Sequence, residues 1–168
     1  CIRDRLKALG LEVKELGESG LSVLIEGEKG DGKCILVRAD MDALPMKEES
    51  GLSFSATGDK AHTCGHDLHA SIAISAAEML IKEKKNFKGK VKIMFQPAEE
   101  IFEGSKMMIE EGILENPKVD VAIALHTALD EEPGSVEYNE GYFTTSCDNF
   151  KINIKGKGGH LSLIHISD

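Results

Sequence analysis

Residues 71–95, SIAISAAEMLIKEKKNFKGKVKIMF, decide the fold class. In residues 71–86 the apolar side chains recur at helical spacing, and lysines gather in the last turns, where positive charge suits the negative end of a helix dipole. The run VKIMF at 91–95 is short and continuously apolar, which is typical of a strand covered on both faces. This stretch therefore predicts a helix followed by a buried strand.

The same alternation continues toward the C-terminus. Residues 103–114, EGSKMMIEEGIL, predict a second helix, and VDVAIAL at 119–125 predicts another short strand of the buried type. Strands that alternate with helices imply right-handed crossovers and a parallel sheet with helices packed on it. We therefore predict an α/β fold, a three-layer and mostly parallel sheet with flanking helices.

Toward the N-terminus the pattern changes to two short apolar runs, LSVLI at 21–25 and CILVRA at 34–39. The residues between them, EGEKGDGK, are rich in glycine and suit a tight turn, so the two runs predict a β-hairpin. The first ten residues, CIRDRLKALG, have helical spacing and reach Gly10 as a C-cap. Residue 1 is thus predicted to lie inside a helix, and we expect the natural start to be missing.

The bulk composition excludes several function classes. With 168 residues, 41% of them hydrophobic, the chain is long and apolar enough for a globular domain with a sizeable core. The formal net charge of −9 would repel a phosphate backbone, so nucleic acid is not a predicted partner. No apolar run approaches the ~20 residues that span a bilayer, so we predict no membrane partner and a cytoplasmic location. The four cysteines are irregularly spaced and predict reduced thiols.

Residues of types that can bind metals follow each strand of the predicted sheet. Asp40 and Asp42 come after the first strand, Glu99 and Glu100 after the second, and His126 after the third. Taken singly, such residues are more often solvated carboxylates or hydrogen-bonded histidines. Ligands of a parallel sheet, however, bind beyond the carboxyl ends of its strands, where these residues converge. The convergence favours a metal site.

The segment HTCGHDLH at 62–69 lies just before the first long predicted helix, which places it at the same edge of the sheet. It holds three histidines, one cysteine and one aspartate in eight residues. Cys64 and His66 are two positions apart, so in an extended segment their side chains would point to the same side. A buried apolar cysteine and a hydrogen-bonded histidine are the alternatives. Together with the strand ends, the segment predicts a metal hydrolase.

Five short motifs resemble, in order and spacing, those of the peptidase M20 amidohydrolases. They are ADMDALP at 39–45, CGHDLH at 64–69, QPAEE at 96–100, LH at 125–126 and GKGGH at 156–160. The chain is most similar to the subgroup that contains aminoacylases, hippurate hydrolases, indole-acetyl-amino-acid hydrolases and N-acetyldiaminopimelate deacetylases. The resemblance implies metal-dependent hydrolysis of the amide bond of a small-molecule N-acyl amino acid.

The resemblance also implies roles for individual residues. The ligands of two divalent metal ions, Zn or Mn with Co or Ni as alternatives, would be Cys64, His66, Glu100 and His126. Glu99 would be the general base, and His160 would bind the substrate. Asp42 would orient a metal ligand, with Asp40 either beside it or purely structural.

Glu99 and Glu100 differ in role although they are adjacent, and an extended backbone would explain how. Successive side chains of an extended segment point in opposite directions, so one carboxylate would face the metal and the other the substrate. Outside these motifs, Cys34 and Cys147 are predicted to be packing residues. His62 and His69 stay open, the latter with helix-start surface as one interpretation.

By the same resemblance, residues 1–145 form the N-terminal part of a catalytic metal-binding domain. Residues 149–155 alternate as an edge strand would, and 146–160 are predicted as the first strand of an inserted lid domain, through which the full-length protein would form a homodimer. Residues 161–168, LSLIHISD, do not match the family, and His165 receives no role.

Two alternatives stay open. The family's last metal ligand would lie beyond residue 168, so the chain could be an inactive metal-binding fragment, truncated at both ends. Independently of this, the parent enzyme could be a dipeptidase or a carboxypeptidase with the same metal machinery.

Overall fold

The structure is a computed structural model that describes residues 1–128, 132, 134–142 and 145–158. Its helices and strands are, in chain order, α1 (Ile2–Ala8), β1 (Lys14–Leu16), β2 (Gly20–Glu26), β3 (Cys34–Asp40), α2 (His66–Lys82), a 3₁₀ turn (Lys84–Asn86), β4 (Lys90–Gln96), α3 (Gly104–Glu110) and β5 (Val121–Ala124). Among the described residues, no helix is long and apolar enough to cross a membrane.

The five strands form one mixed sheet in the order β1-β2-β4-β3-β5. β3 is parallel to both of its neighbours, β4 and β5. β2 is antiparallel to β1 and to β4. The predicted α/β class with flanking helices is confirmed, while the sheet is less parallel than expected because two of its pairings are antiparallel.

The predicted β-hairpin between β2 and β3 is wrong, because β4 lies between these strands. The glycine-rich loop that joins them is hydrogen-bonded to the chain that enters β4. Gly27 N–H donates to the carbonyl of Gly89, and Gly89 N–H donates to that of Gly30, both at 2.9 Å. The loop therefore passes around the start of β4, and β2 forms its hairpin with β1 instead.

Helices cover both faces of the sheet. One apolar cluster joins α1 and α2 to Val91, Ile93 and Phe95 of β4, and a second joins Met108 of α3 to Met94 from the other face of the same strand. The prediction that β4 is buried on both faces is thus confirmed. β4 and β5 flank β3 on opposite sides, so two right-handed crossovers place α2 and α3 on opposite faces.

Several element boundaries differ from the predicted ones. α2 begins at His66 rather than at residue 71, and α3 ends at Glu110 rather than at 114. β5 was expected to be buried, but all four of its residues are exposed. Within the described part of the chain β5 pairs with β3 alone, so one of its edges is open. The C-cap of α1 is Leu9, one residue before the predicted Gly10, which follows it with a left-handed φ of 78°.

The chain divides into two units, residues 1–129 and 130–168. All the helices and strands given above belong to the first unit. In the second, the described residues 149–155 are exposed and have no strand assignment, since no strand among the described residues pairs with them. The assignment of 146–160 to a lid domain stays a prediction. His160 and the tail 161–168 lie outside the described residues.

Candidate metal centre

The carboxyl ends of the three parallel strands bring the predicted metal-binding groups together. His66 Nε2 lies 3.8 Å from Asp40 Oδ2, 3.8 Å from Glu100 Oε1 and 4.0 Å from Glu99 Oε2. Cys64 Sγ lies 3.5 Å from His126 Nε2. Ligand atoms of Cys64, His66 and His126 all lie within 4.8 Å of one another. The four predicted ligands are therefore neighbours at one edge of the sheet.

Cys64 and His66 are brought together by a turn, not by the extended segment that we expected. His66 is the first residue of α2, and Gly65 before it has a left-handed backbone with φ of 80°. A side chain at position 65 would be strained in that conformation, and its Cβ would lie 2.6 Å from Thr127 Oγ1. Glycine is thus required where the chain turns from Cys64 into the helix.

Asp42 holds His66 in a defined orientation. His66 Nδ1 lies 3.0 Å from Asp42 Oδ1 and 3.1 Å from the Asp42 carbonyl oxygen. Because both partners are acceptors, Nδ1 carries the proton and the lone pair is on Nε2. That nitrogen is buried without a hydrogen-bond partner. A carboxylate behind a histidine is the arrangement that orients metal-binding imidazoles. Asp42 Oδ2 also accepts the backbone N–H of Glu100 at 3.1 Å.

Glu99 and Glu100 lie in a turn, so the expected extended backbone at this position is wrong. Ala98 before them has a positive φ of 51°, and Phe102 N–H donates to the Glu99 carbonyl at 2.9 Å. Both carboxylates therefore approach His66 instead of pointing in opposite directions. They differ in surroundings, because Glu100 Oε1 is buried without a hydrogen-bond partner, whereas Glu99 is one-third exposed (33%) and lies 4.0 Å from an arginine, Arg38.

Arg38 and His69 contribute to the site although sequence reasoning gave neither a role. Arg38 Nη1 lies 2.9 Å from Asp40 Oδ2, and His69 Nδ1 donates to Asp40 Oδ1. Burial raises the pKa of Asp40, but the hydrogen bond from His69 and the charge of Arg38 outweigh it and lower the pKa below its ordinary value. Asp40 is therefore an ionised, fully buried carboxylate.

The sequence contained a signal for each of these two residues. Arg38 is a charged residue inside the apolar run CILVRA, and His69 follows His66 at the spacing of one helical turn. The second signal depends on knowing that α2 begins at His66. The open question about His69 is thereby answered in part, since His69 is buried and does not lie on the helix surface. His62 is exposed.

His69 is not available as a metal ligand, although Asp40, His66 and His69 are close enough to hold an ion. Its Nδ1 donates to Asp40, and its Nε2 accepts the backbone N–H of Thr127 at 3.0 Å. Neither nitrogen has a free lone pair.

Of the predicted packing cysteines, Cys34 is buried as expected, whereas Cys147 is exposed.

The donor set fits divalent cations. Buried atoms without partners, His66 Nε2 and Glu100 Oε1, face each other across 3.8 Å. Burial and the neighbouring Glu100 carboxylate raise the pKa of the Cys64 thiol to about 11. Since cysteine binds metals as a thiolate, a cation held at this position would displace the thiol proton. Thiolate, imidazole and carboxylate ligands suit Zn²⁺, and a carboxylate-rich site also accepts Mn²⁺ or Co²⁺.

A mixed α/β sheet thus carries cysteine, histidine and carboxylate donors at the carboxyl ends of its parallel strands, which is the arrangement of a candidate metal centre. Comparison with known sequences identifies the family. The chain belongs to peptidase family M20/M25/M40, whose sequence profile matches residues 36–157.

Individual relatives agree with this assignment. The chain is 37% identical to an N-acetyl-L-cysteine deacetylase of Bacillus subtilis, over 98% of this chain and 39% of the relative. It is also 37% identical to thermostable carboxypeptidase 2 of Saccharolobus solfataricus, over 98% of this chain and 42% of the relative.

A solved structure extends the likeness to the fold. The B. subtilis protein YXEP, described as a dinuclear metal-binding peptidase of the M20 family, matches with a TM-score of 0.72 and 36% identity. The match covers 77% of this chain and 36% of that protein. The chain thus spans about two fifths of the length of the curated relatives that it matches.

Proposed function

We propose that the complete gene product hydrolyses the amide bond of N-acyl amino acids with the help of two divalent cations. The observation that carries the proposal is the cluster of Cys64, His66, Glu100 and His126 at one sheet edge, where His66 Nε2 and Glu100 Oε1 are buried without hydrogen-bond partners. An uncompensated buried nitrogen and carboxylate oxygen are costly, and a shared cation offsets that cost. Zn²⁺ and Mn²⁺ are the first candidates.

The cations, when bound, would lower the pKa of a water molecule toward ~7 and draw electron density from the substrate carbonyl. Glu99 would act as the general base. Its carboxylate lies at the rim of the cluster, is partly exposed, and is therefore accessible to both water and substrate. Glu99 would take one proton from the water as the water oxygen bonds to the amide carbon. The same proton would pass to the amine nitrogen as the carbon–nitrogen bond breaks.

Asp42 and Arg38 would support this reaction without touching the substrate. Asp42 fixes the tautomer of His66 and the position of the Glu100 backbone. Arg38 lies within 4.0 Å of Glu99 and 2.9 Å of Asp40, so its positive charge offsets the repulsion between these carboxylates. The charge of Arg38 therefore allows Asp40 and Glu99 to lie close together in their ionised forms.

The substrate class rests on the relatives. The B. subtilis N-acetyl-L-cysteine deacetylase supports removal of an acyl group from an amino acid, while the S. solfataricus carboxypeptidase supports peptide hydrolysis. Their identities to this chain are equal at 37%, so a carboxypeptidase or dipeptidase remains the second candidate function. His160, which lies outside the described residues, is proposed to contact the substrate, and the lid domain to mediate a homodimer.

The test uses the full-length gene product with N-acetyl amino acids, hippurate and unblocked dipeptides as substrates. We expect the N-acyl compounds to be hydrolysed faster, activity to disappear with a chelator, and Zn²⁺ or Mn²⁺ to restore it. Preferred cleavage of dipeptides would select the second candidate. Undiminished hydrolysis by protein shown to be free of metal would refute the mechanism. Residues 1–168 alone, assayed beside the full-length product, test the alternative of an inactive metal-binding fragment.

A further inference from the structure

We propose that His69 is a positioning residue, which holds His126 at the metal centre through the backbone of Thr127. This inference rests on the proposed function, because it requires a cation at His126. It gives a role to a buried histidine that ends the CGHDLH motif and is not itself a ligand.

The two ring nitrogens of His69 are both engaged. The ring lies in the first turn of α2 with its side chain only 3% exposed. Nε2 accepts the Thr127 N–H at 3.0 Å, so Nε2 carries no proton. Nδ1 therefore carries the proton and donates it to Asp40 Oδ1. His69 is thus a neutral imidazole whose orientation is fixed from both sides.

Thr127 connects His69 to two of the four predicted ligands, His126 and Cys64. Its carbonyl oxygen lies 2.8 Å from His126 Nδ1 and accepts the proton of that nitrogen, which leaves His126 Nε2 directed toward Cys64. Its hydroxyl lies 3.5 Å from the Cys64 carbonyl oxygen. The rings of His69 and His126 also meet edge to face, with centroids 4.6 Å apart.

His126 needs such a support because the sheet does not provide one. β5 ends at Ala124, so residues 125–127 lie beyond the strand pairing, and Leu125 is 53% exposed. His126 is itself exposed. An exposed histidine in an unpaired segment would sample several orientations. The buried pair of Asp40 and His69 fixes the Thr127 N–H, and with it the backbone that carries His126.

A purely structural His69 would affect stability but leave cation binding unchanged. Two substitutions separate the alternatives, because each retains a hydrogen-bonding group near one of the two ring nitrogens. The amide of His69→Gln falls near the position of Nε2, where its oxygen can accept the Thr127 N–H. The amide of His69→Asn falls near Nδ1, where it can donate to Asp40 but does not reach Thr127. Met108→Ala, a truncation in the core beneath α3, is the control for lost stability.

The experiment is a Co²⁺ titration of the metal-free full-length protein and of these three variants. The thiolate-to-cobalt absorption reports Cys64, and the visible cobalt bands report the coordination geometry. We expect His69→Asn to bind Co²⁺ roughly 10- to 100-fold more weakly, the range found for residues that orient metal ligands, and to show altered visible bands. His69→Gln is expected to recover most of the affinity, and Met108→Ala to bind as the wild type does.

Equal affinity and equal spectra for His69→Asn and the wild type would overturn the inference. The inference would also fail if His69→Asn and Met108→Ala lost the same Co²⁺ affinity at the same folded fraction. It would fail as well if His69→Gln bound Co²⁺ as weakly as His69→Asn. If the wild-type protein binds no cobalt, the proposed function fails as well. If the wild type binds and the two His69 variants do not differ, only this inference fails.

Discussion

A methyl group added at Gly104 would collide with the loop that carries Glu99 and Glu100. The Cβ of an alanine at this position would lie 1.5 Å from the carbonyl oxygen of Pro97, against the 3.4 Å or more of ordinary contact. Gly104 is the first residue of α3, and its N–H donates to the Ala98 carbonyl at 3.1 Å. Either α3 or the loop must therefore move by about 2 Å, a displacement that core packing resists.

Both movements are costly. Overpacking of this kind costs about 1–3 kcal/mol, and loss of the hydrogen bond to Ala98 adds about 1 kcal/mol. We expect Gly104→Ala to lose about 3 kcal/mol of unfolding free energy. Because a misplacement of about 1 Å can reduce turnover ~100-fold, we expect at least that loss in kcat/KM. Metal affinity should fall too, since Glu100 moves with the loop.

The assay combines urea unfolding with metal content and kcat/KM of the full-length protein. Gly58→Ala is the matched control, because no atom lies within 4 Å of its added Cβ and its φ is not in the left-handed region. Gly58→Ala should match the wild type in all three measurements. A Gly104→Ala protein with normal metal content and normal turnover would show that the tight approach of α3 to the loop does not position the glutamates.

Three further substitutions test other parts of the structure. Glu99→Gln should retain the metals but lose roughly 10²–10⁴-fold in kcat, because an amide cannot accept the proton of the water; undiminished kcat with full metal content would contradict its role as base. Asp42→Ala should weaken metal binding roughly 10- to 100-fold in a chelator competition, since it removes the carboxylate that orients the His66 ring and accepts the Glu100 backbone N–H; unchanged competition would contradict this. Lys92→Met should cost about 1–3 kcal/mol in urea unfolding, because Nζ of this buried lysine donates to the carbonyls of Ile113, Glu115 and Pro117. Its metal affinity should equal that of the wild type, and a variant as stable as the wild type would show that these bonds contribute nothing.

The sequence predicted strands β2 to β5, but not β1, and the edge where the parallel strands end, because hydrophobic periodicity is a local property. The runs at 34–39 and 91–95 became β3 and β4, and the polar residues after them lie together as expected. Strand neighbours could not be predicted in the same way. β2 and β3 are adjacent in sequence, yet both pair with β4 rather than with each other, because pairing depends on contacts between residues 56 to 74 positions apart.

Local backbone geometry around the site was harder to predict than residue type. The period of α2 was recognised only from residue 71, because His66, Asp67 and His69 break the apolar pattern of its first turn. Once helical, that turn aims His66 at Asp42 and buries His69 against Asp40. The turn at Glu99 and Glu100 was likewise hidden, since Ala98 gives no sign of its positive φ. Tertiary hydrogen bonds, absent from any local pattern, determine both.

The candidate centre depends on two residues that join its elements without being predicted as ligands. Asp42 follows β3 and holds both His66 on α2 and the backbone of Glu100 after β4. Thr127 follows β5 and contacts both His126 and the carbonyl of Cys64 before α2. Each therefore contacts two of the four predicted ligands, and one member of each pair lies at the N-terminal end of α2, His66 as its first residue and Cys64 just before it. The distance between the two pairs is then set by the first turn of α2 and the left-handed Gly65. A change in that turn should disturb all four ligands at once, whereas a change at Asp42 or at His69 should disturb only one pair.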